Sequence, residues 1–583
     1  MGIYKKLSWF FKKYWKSYLI AIISLFICAI LQLIPPRIVG IVVDEIAMRK
    51  LTQASLTQWL GILGATAILQ YVLRYVWRVR IWGNSARLEM ILRNRLYQHF
   101  TEMDTNFFQK YRTGDLMAHA TNDLIAVRMV AGGGILTLAD SISIGLTTIL
   151  AMIFVVDLRL TLLAIIPIPL LAVASRYLGH MLHTRFRSAQ EAFSEMNNKV
   201  QESIQGMKVL KTFGMEKEDI ADFEQHTAQI VAKNREVYKI DSLFDPALTL
   251  IIGISYVIAI IVGGYFIMGN EVTIGEFVTF FNYIGMLVWP MFAIGRLFNI
   301  IERGSASYER VESILAEESS IKESPNAIEC PISGDLDFAI DSFTYPGDGE
   351  VSLQNVHFTL KKGQTLGIVG KTGSGKTTIL KLLLRSFDDY QGNIQYGGHD
   401  IRDYSLDALL EQIGYVPQNS YLFSTTIRDN IRFARPHASQ EEVERAAKMA
   451  DIHEDIMGMP EAYDTETGER GVSLSGGQKQ RISIARAILV NPELMILDDS
   501  LSAVDAKTEE DILESLKALR SDQTTIIIAH RISSVMHADE IIVLDEGHIS
   551  ERGTHDELLA LGGWYQEMYQ KQQLEKSIEG GDV

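Results

Sequence analysis

At 583 residues the chain is too long for one domain and has room for two large ones. Hydrophobic residues make up 47% and charged residues 22%, with a mean hydropathy of +0.09, which implies a membrane part joined to a charged soluble part. The net charge of −16 argues against a nucleic-acid partner, because phosphate binding relies on clustered Lys and Arg. The two cysteines, Cys28 in an apolar run and Cys330 in a polar stretch, suggest neither a disulfide framework nor a metal site.

The chain opens with Lys5, Lys6, Lys12, Lys13 and Lys16 interleaved with Trp9, Phe10, Phe11 and Trp15. This pattern predicts an amphipathic helix on the inner membrane surface, with the amino terminus cytoplasmic by the positive-inside rule. The apolar run that follows is too long for a signal peptide and reads as an anchor. Six segments are long enough to cross a bilayer, near 18–43, 56–79, 134–156, 160–179, 247–268 and 274–300. The outward connections Asp157–Arg159 and Gly269–Glu271 are short. The inward ones, about 80–133 and 180–246, are long, charged and helix-patterned. Structureless stretches of that size are rare, so they are expected to continue the membrane helices into the cytoplasm. Each pair should be capped by a short turn, at Tyr111–Asp115 and Gln205–Lys208.

Asp140 lies in the third span, where a carboxylate is costly and usually functional. It is either a site that attracts cationic cargo or an acid wetted at the inner interface. The last span carries Phe280, Phe281, Tyr283, Met286, Trp289, Met291 and Phe292. Together they suit an adaptable apolar cavity for hydrophobic small molecules, although each alone is better explained by helix packing or lipid contact. Pro290 is expected to kink this helix. The predicted organisation is a transmembrane domain over 1–316, a polar linker over 317–334, a nucleotide-binding domain over 335–573 and a tail over 574–583.

In the soluble part, Gly370-Lys371-Thr372-Gly373-Ser374-Gly375-Lys376-Thr377 matches the phosphate-loop pattern GxxxxGK[ST] in full. It follows the apolar strand Thr365–Val369 and opens a helix at Thr378, the context that the motif requires. Its glycines let backbone N–H groups curl around phosphate oxygens at a helix N-terminus. Lys376 supplies charge to the β- and γ-phosphates of ATP, and the Thr377 hydroxyl ligates Mg²⁺. Tyr345, upstream of this loop, suits stacking on adenine, but an aromatic here is more often core, and its role at the base rests on the family resemblance given below. Further on, LSGGQ (Leu474–Gln478) leads into a helix through Ile488, and the apolar run Leu494–Leu497 ends in Asp498 and Asp499. Asp498 is placed to hold Mg²⁺ through water.

These motifs in this order resemble the nucleotide-binding domain of ATP-binding cassette (ABC) exporters, and the six spans resemble their membrane half. The implied fold is a membrane α-helical bundle with long cytoplasmic extensions, joined to an α/β P-loop ATPase. The resemblance implies that Gln418 is the Q-loop glutamine, touching Mg²⁺, and that Thr465–Gly471 is the exporter-specific loop. It also implies that Ser502–Asp505 is the D-loop and that His530 is the switch histidine on the γ-phosphate. Two such domains pair head to tail in this family. The Walker A, Asp499 and His530 of one chain then serve one ATP, while Ser475, Gly476, Gly477 and Gln478 present N–H groups and a helix dipole to the other.

One position departs from the pattern. The family normally has Glu after the Walker B Asp, where it positions the attacking water, and here Asp499 is one CH2 shorter. A general base must reach within about 2.6–3.2 Å of its proton, directly or through one water. The subfamily most resembled is therefore the heterodimeric multidrug exporters of Gram-positive bacteria, in the cell membrane with the ATPase cytoplasmic. Their degenerate-site subunit carries Asp at this position, and the partner would be a second ABC half-transporter. The alternatives are a homodimeric lipid or drug exporter in which Asp499 suffices, and an ATP-binding regulatory subunit. No Cys/His peptidase domain precedes the first span, which lowers a peptide-exporter reading, and six spans exclude a soluble DNA-repair ATPase.

Overall fold

The computed structural model describes residues 2–468, 474–519 and 523–579. Two compact units divide the chain: one comprises 1–102 and 111–317, the other 103–110 and 318–583.

The first unit is helical. Among the described residues, six helices are long and apolar enough to cross a membrane: Ser8–Ala47, Gln53–Glu102, Thr113–Val156, Leu158–Gln205, Glu216–Met268 and Ile274–Leu315. All but the first extend well beyond the apolar window at their inner ends, so the long inward connections are helical continuations. Prolines place the interruptions. Pro36 cannot donate to Gln32, and the first span breaks at Leu33. Pro290 cannot donate to Met286, and the sixth span breaks at Leu287.

The outward ends are set by side-chain caps. Asp157 accepts from the backbone N–H of Arg159 and Leu160 at 2.8 and 3.0 Å, and Thr273 forms a capping box with Glu276. Across the unit, Asp44 accepts from the Thr273 hydroxyl at 2.6 Å and from Gly275 N at 2.7 Å. A Cβ on Gly275 would lie 2.0 Å from Gly40 O, so these two helices meet backbone to backbone.

Two features differ from the expected pattern. The inward tips are not single turns but short helices, Thr105–Lys110 and Met207–Phe213, each set off by a break on both sides. Gly214, at φ +66°, ends the second of them in the left-handed conformation. The amino-terminal stretch does form helix, but Ile3, Leu7 and Phe10 are buried against protein, and Lys6 pairs with Glu312 at 2.8 Å. Its apolar face is thus a docking face, while Trp15 stays exposed.

The second unit is α/β. Its strands are β1 (Leu336–Phe343), β2 (Leu353–Leu360), β3 (Thr365–Gly370), β4 (Gln391–Tyr396), β5 (His399–Asp400), β6 (Ile413–Val416), β7 (Leu494–Asp498), β8 (Thr524–Ile528), β9 (Glu540–Asp545) and β10 (His548–Gly553). An antiparallel sheet runs β2-β1-β4-β5. A second sheet runs β10-β9-β3-β8-β7-β6, parallel except at its β10 edge. Parallel strands are covered on both faces and so read as continuous apolar runs, and β7 is buried at every position. The short helix Thr105–Lys110 groups with this unit, because Asp104 accepts from the Ser319 hydroxyl at 3.1 Å and Asn106 donates to Ser320.

Candidate nucleotide site

The parallel sheet brings the carboxyl ends of β3, β7 and β8 side by side, and ligands bind at such strand ends in open α/β sheets. After β3 the loop turns through Gly373 at φ +84° and Gly375 at φ +102°, a region that side chains disfavour. A Cβ on Gly375 would also lie 2.7 Å from Leu353, so the loop needs glycine there for space as well. The following helix starts at Lys376, two residues before the expected Thr378.

Lys376 is buried, and its Nζ donates to Gly370 O at 2.8 Å and Lys371 O at 2.7 Å. Burial holds its pKa below the usual lysine range, against the opposing pull of Asp499 and Asp498. Ser374 Oγ is buried and has no hydrogen-bond partner among the described residues. A curled loop at a helix N-terminus, a buried ammonium and an unsatisfied hydroxyl together fit a phosphate chain. Tyr345 is tied to this loop's helix, its hydroxyl 3.0 Å from Thr378 Oγ1, and Lys381 sits over its ring at 4.9 Å. Phe343 and Phe387 pack edge-on to it.

At the end of β7, Asp498 is buried and accepts from the Tyr415 hydroxyl at 3.3 Å. Burial raises its pKa, and the neighbouring Asp499 adds to the shift. Asp499 takes a left-handed backbone, φ +46°, which Asp tolerates better than most residues. Gln418 Nε2 donates to one of its carboxylate oxygens at 3.2 Å, and His530 N lies 3.5 Å from the other. Asp499 N donates to Ile528 O at 2.8 Å, which fixes the two strand ends together. Gln418, Asp499 and His530 are therefore brought together from three separate stretches of sequence.

The signature residues occupy a separate place. Ser475 caps the helix Gly476–Val490 in a reciprocal box with Gln478, so two of the four expected N–H groups are already engaged within the chain. Gly476 and Gly477 are left to present theirs. Gln478 Nε2 donates to Asp455, and Gln480 Oε1 accepts from Ala503 N at 3.0 Å. That last bond ties the signature helix to the Ser502–Asp505 segment. Among the described residues, the side-chain hydrogen bonds of Ser475–Gln478 stay within this region and reach Asp455, not the phosphate loop.

The chain matches a family model described as the ABC transporter transmembrane region over 18–291 and one described as ABC transporter over 353–502. It is 45% identical to a probable multidrug resistance ABC transporter ATP-binding/permease protein, YheI, of Bacillus subtilis, covering 100% of this chain and 99% of that one. This chain belongs to the ABC transporters. Another relative is the multidrug resistance-like ATP-binding protein MdlA of Escherichia coli, 43% identical over 99% of this ABC chain and 98% of its own. Among solved structures, a bacterial Atm1-family ABC exporter with ATP bound superposes with a TM-score of 0.76 at 26% identity, covering 96% of this chain and 98% of the other. The protein is thus an ATP-hydrolysing membrane transporter with an ABC exporter fold.

The family assignment gives the remaining segments a place. Of the segment expected to be the exporter-specific loop, Thr465–Gly468 is described, and Glu469, Arg470 and Gly471 lie outside the described residues. Thr467 is buried and its hydroxyl donates to Phe423 O at 2.7 Å, so this loop is latched to the segment after Gln418. Asn430, fully buried, joins the same network and accepts from Arg486 of the signature helix at 3.0 Å. No motif marks Asn430 or Arg486; a buried amide bonded to a partly buried guanidinium is the signal that only structure supplies. In the membrane unit, Asp140 accepts from Trp289 Nε1 at 3.3 Å. The acid of span three and the aromatic next to the break in span six are therefore neighbours.

Proposed function

We propose that this chain is one subunit of a heterodimeric exporter in the bacterial plasma membrane. It moves hydrophobic or amphipathic compounds outward, and its own ATP site is the weaker of two. The multidrug names of its relatives support the cargo class. The observation that carries the asymmetry is Asp499: one methylene short, with one oxygen taken by Gln418 and the other facing His530 N.

The roles follow from position. Gly370, Lys371, Thr372, Gly373, Ser374, Gly375, Lys376 and Thr377 cradle the phosphates, and Thr378 anchors Tyr345 toward the base. Thr377, Gln418 and Asp498 would hold Mg²⁺, which spreads the charge developing on the transferred phosphoryl group. His530 stands opposite Asp499 to contact the γ-phosphate. A carboxylate already engaged on both oxygens and set back from the water orients it poorly, so this site retains ATP rather than turning it over. The signature, by contrast, is complete: Gly476 and Gly477 offer two N–H groups at a capped helix N-terminus to the nucleotide held by the second ABC half. Intact LSGGQ and weakened base together give a subunit that completes its partner's active site.

The test is a pair of substitutions in the assembled transporter. Asp499→Asn should change ATPase less than twofold. Removing the partner's Glu at the equivalent position should lower it by about 10²–10⁴-fold, the usual contribution of a general base. A large loss in Asp499→Asn with the partner intact would make Asp499 a working base and favour a symmetric homodimer.

A further inference from the structure

The helix Trp564–Glu579 lies beyond every motif used so far. Its first turns are anchored. Tyr565 is fully buried, with its hydroxyl 2.8 Å from His555 Nδ1, and Trp564, Met568 and Tyr569 pack against the core under β7 and β8. Gln572 follows Tyr569 by three residues and Met568 by four, so it continues the anchored face.

Its amide makes two hydrogen bonds with one short stretch of backbone. Nε2 donates to His530 O at 2.9 Å, and Oε1 accepts from Ile532 N at 2.8 Å. The side chain thus pairs with the loop after β8 much as a neighbouring strand would, bracketing Arg531. Arg531 is held from the other side, donating to Val504 O at 3.2 Å and facing the buried carboxylate of Glu509 at 3.5 Å. With His530 N beside Asp499, the backbone on both sides of the His530 Cα is tied down. The direction of the His530 Cα–Cβ bond is fixed by those ties, and Gln572 contributes the one that lies on the C-terminal side.

We infer that Gln572 is a positioning residue for the nucleotide site. It sets the orientation of His530 toward the γ-phosphate, and the C-terminal helix is thereby a working part of the ATP site rather than a tail. The inference rests on the proposed role of His530. A residue acting in this way should affect ATP and ADP unequally, because only ATP carries the γ-phosphate. Merely stabilising the fold would affect both alike.

The experiment uses the purified full chain with Gln572→Leu, Gln572→Glu, His530→Ala and the double variant Gln572→Leu/His530→Ala. Equilibrium affinities for a non-hydrolysable ATP analogue and for ADP are measured alongside thermal unfolding. Leu removes both hydrogen bonds and keeps the stem. Glu keeps the acceptor for Ile532 N but sets a carboxylate oxygen against His530 O. Hydrogen bonds to charged groups are among the stronger ones, so His530→Ala should lower the ATP-to-ADP affinity ratio about tenfold. Each Gln572 variant should lower it roughly three- to tenfold with ADP affinity unchanged. The double variant should fall no further than His530→Ala. A ratio that drops in His530→Ala but stays at the wild-type value in both Gln572 variants would overturn the positioning role alone. A ratio insensitive to His530→Ala would overturn the His530 reading and this inference with it. A Gln572→Leu effect that adds in full to His530→Ala would show that Gln572 does not act through His530, and would also refute it.

Discussion

Two adjacent glycines of the signature offer a quantitative test of how this chain is packed behind the face it presents. A Cβ on Gly477 would sit 2.9 Å from Ala503 O, about 0.5 Å inside ordinary contact, whereas one on Gly476 would sit 3.7 Å from the Ala503 side chain, where it fits. Ala503 cannot drift freely, since its N–H is bonded to Gln480 Oε1. Both positions are helical and neighbouring, so the propensity gain of Gly→Ala, up to about 1 kcal/mol, largely cancels between them. What remains is the overlap, worth about 1–3 kcal/mol for a methyl forced into packed surroundings. Gly477→Ala should therefore unfold about 2–12 °C below Gly476→Ala, using about 2–4 °C per kcal/mol for a domain of this size. Thermal unfolding of the two full-length variants, without nucleotide, measures the difference directly. Equal midpoints, or Gly476→Ala the less stable, would mean that Ala503 does not press on the signature, and the link between signature helix and D-loop would fail.

Other consequences are as direct. Gly477→Asp should abolish ATPase of the assembled transporter, because it sets a carboxylate where the second half's γ-phosphate must lie; surviving turnover, read by phosphate release, would refute the head-to-tail site. Lys376→Ala should weaken nucleotide binding at this chain's own loop while hydrolysis at the opposite site continues, which site-resolved occupancy would separate. Asn430→Ala should cost about 1–3 kcal/mol in chemical denaturation, since it removes a buried amide that is bonded to the buried Thr467 and to the partly buried Phe423 N and Arg486. Asp505 caps the helix that follows it, accepting from Thr508 N, and those bonds hold its pKa below the usual carboxylate range. The folded state therefore binds its proton less readily than the unfolded chain, so this stabilisation is present at neutral pH and disappears as pH falls through the folded-state pKa. The midpoint gap between wild type and Asp505→Asn should shrink below about pH 4.

The parts that were legible in the sequence are those with a periodic or a local cause. Six apolar stretches, the buried run Leu494–Leu497 and the loop Gly370–Thr377 announce themselves because bilayer thickness, strand burial and phosphate geometry leave few residue choices. Pro290, which is expected to kink its helix, breaks the sixth span by leaving the carbonyl four residues back without its donor, and that reach is readable as well. The short tip helices are not legible because six or seven residues span less than two turns, too few for a helical period to be told from a turn. The buried amino-terminal face is not legible for a different reason: Ile3, Leu7 and Phe10 look the same in sequence whether they face lipid or protein. Gln572 was invisible because its partners lie about forty residues away and are backbone groups, which leave no mark on composition.

Asp499 shows where the two kinds of information meet. The missing methylene is plain from the sequence, but its consequence depends on what surrounds the shorter acid. A carboxylate left free could still reach water by a small rotation of its side chain. Here both of its oxygens face donors, Gln418 on one side and His530 N on the other. Rotating it toward water would unpair an amide and draw the other oxygen away from a backbone N–H, each costing roughly 0.5–1.5 kcal/mol. On the proposed reading, the short acid is held back by the same residues that serve the nucleotide. His530 is in turn held by Gln572 through its carbonyl. On that reading, contacts that disfavour hydrolysis also keep the loop after β8 ordered, and an ordered loop around intact ATP is what such a subunit needs if it is to stay closed while its partner cycles.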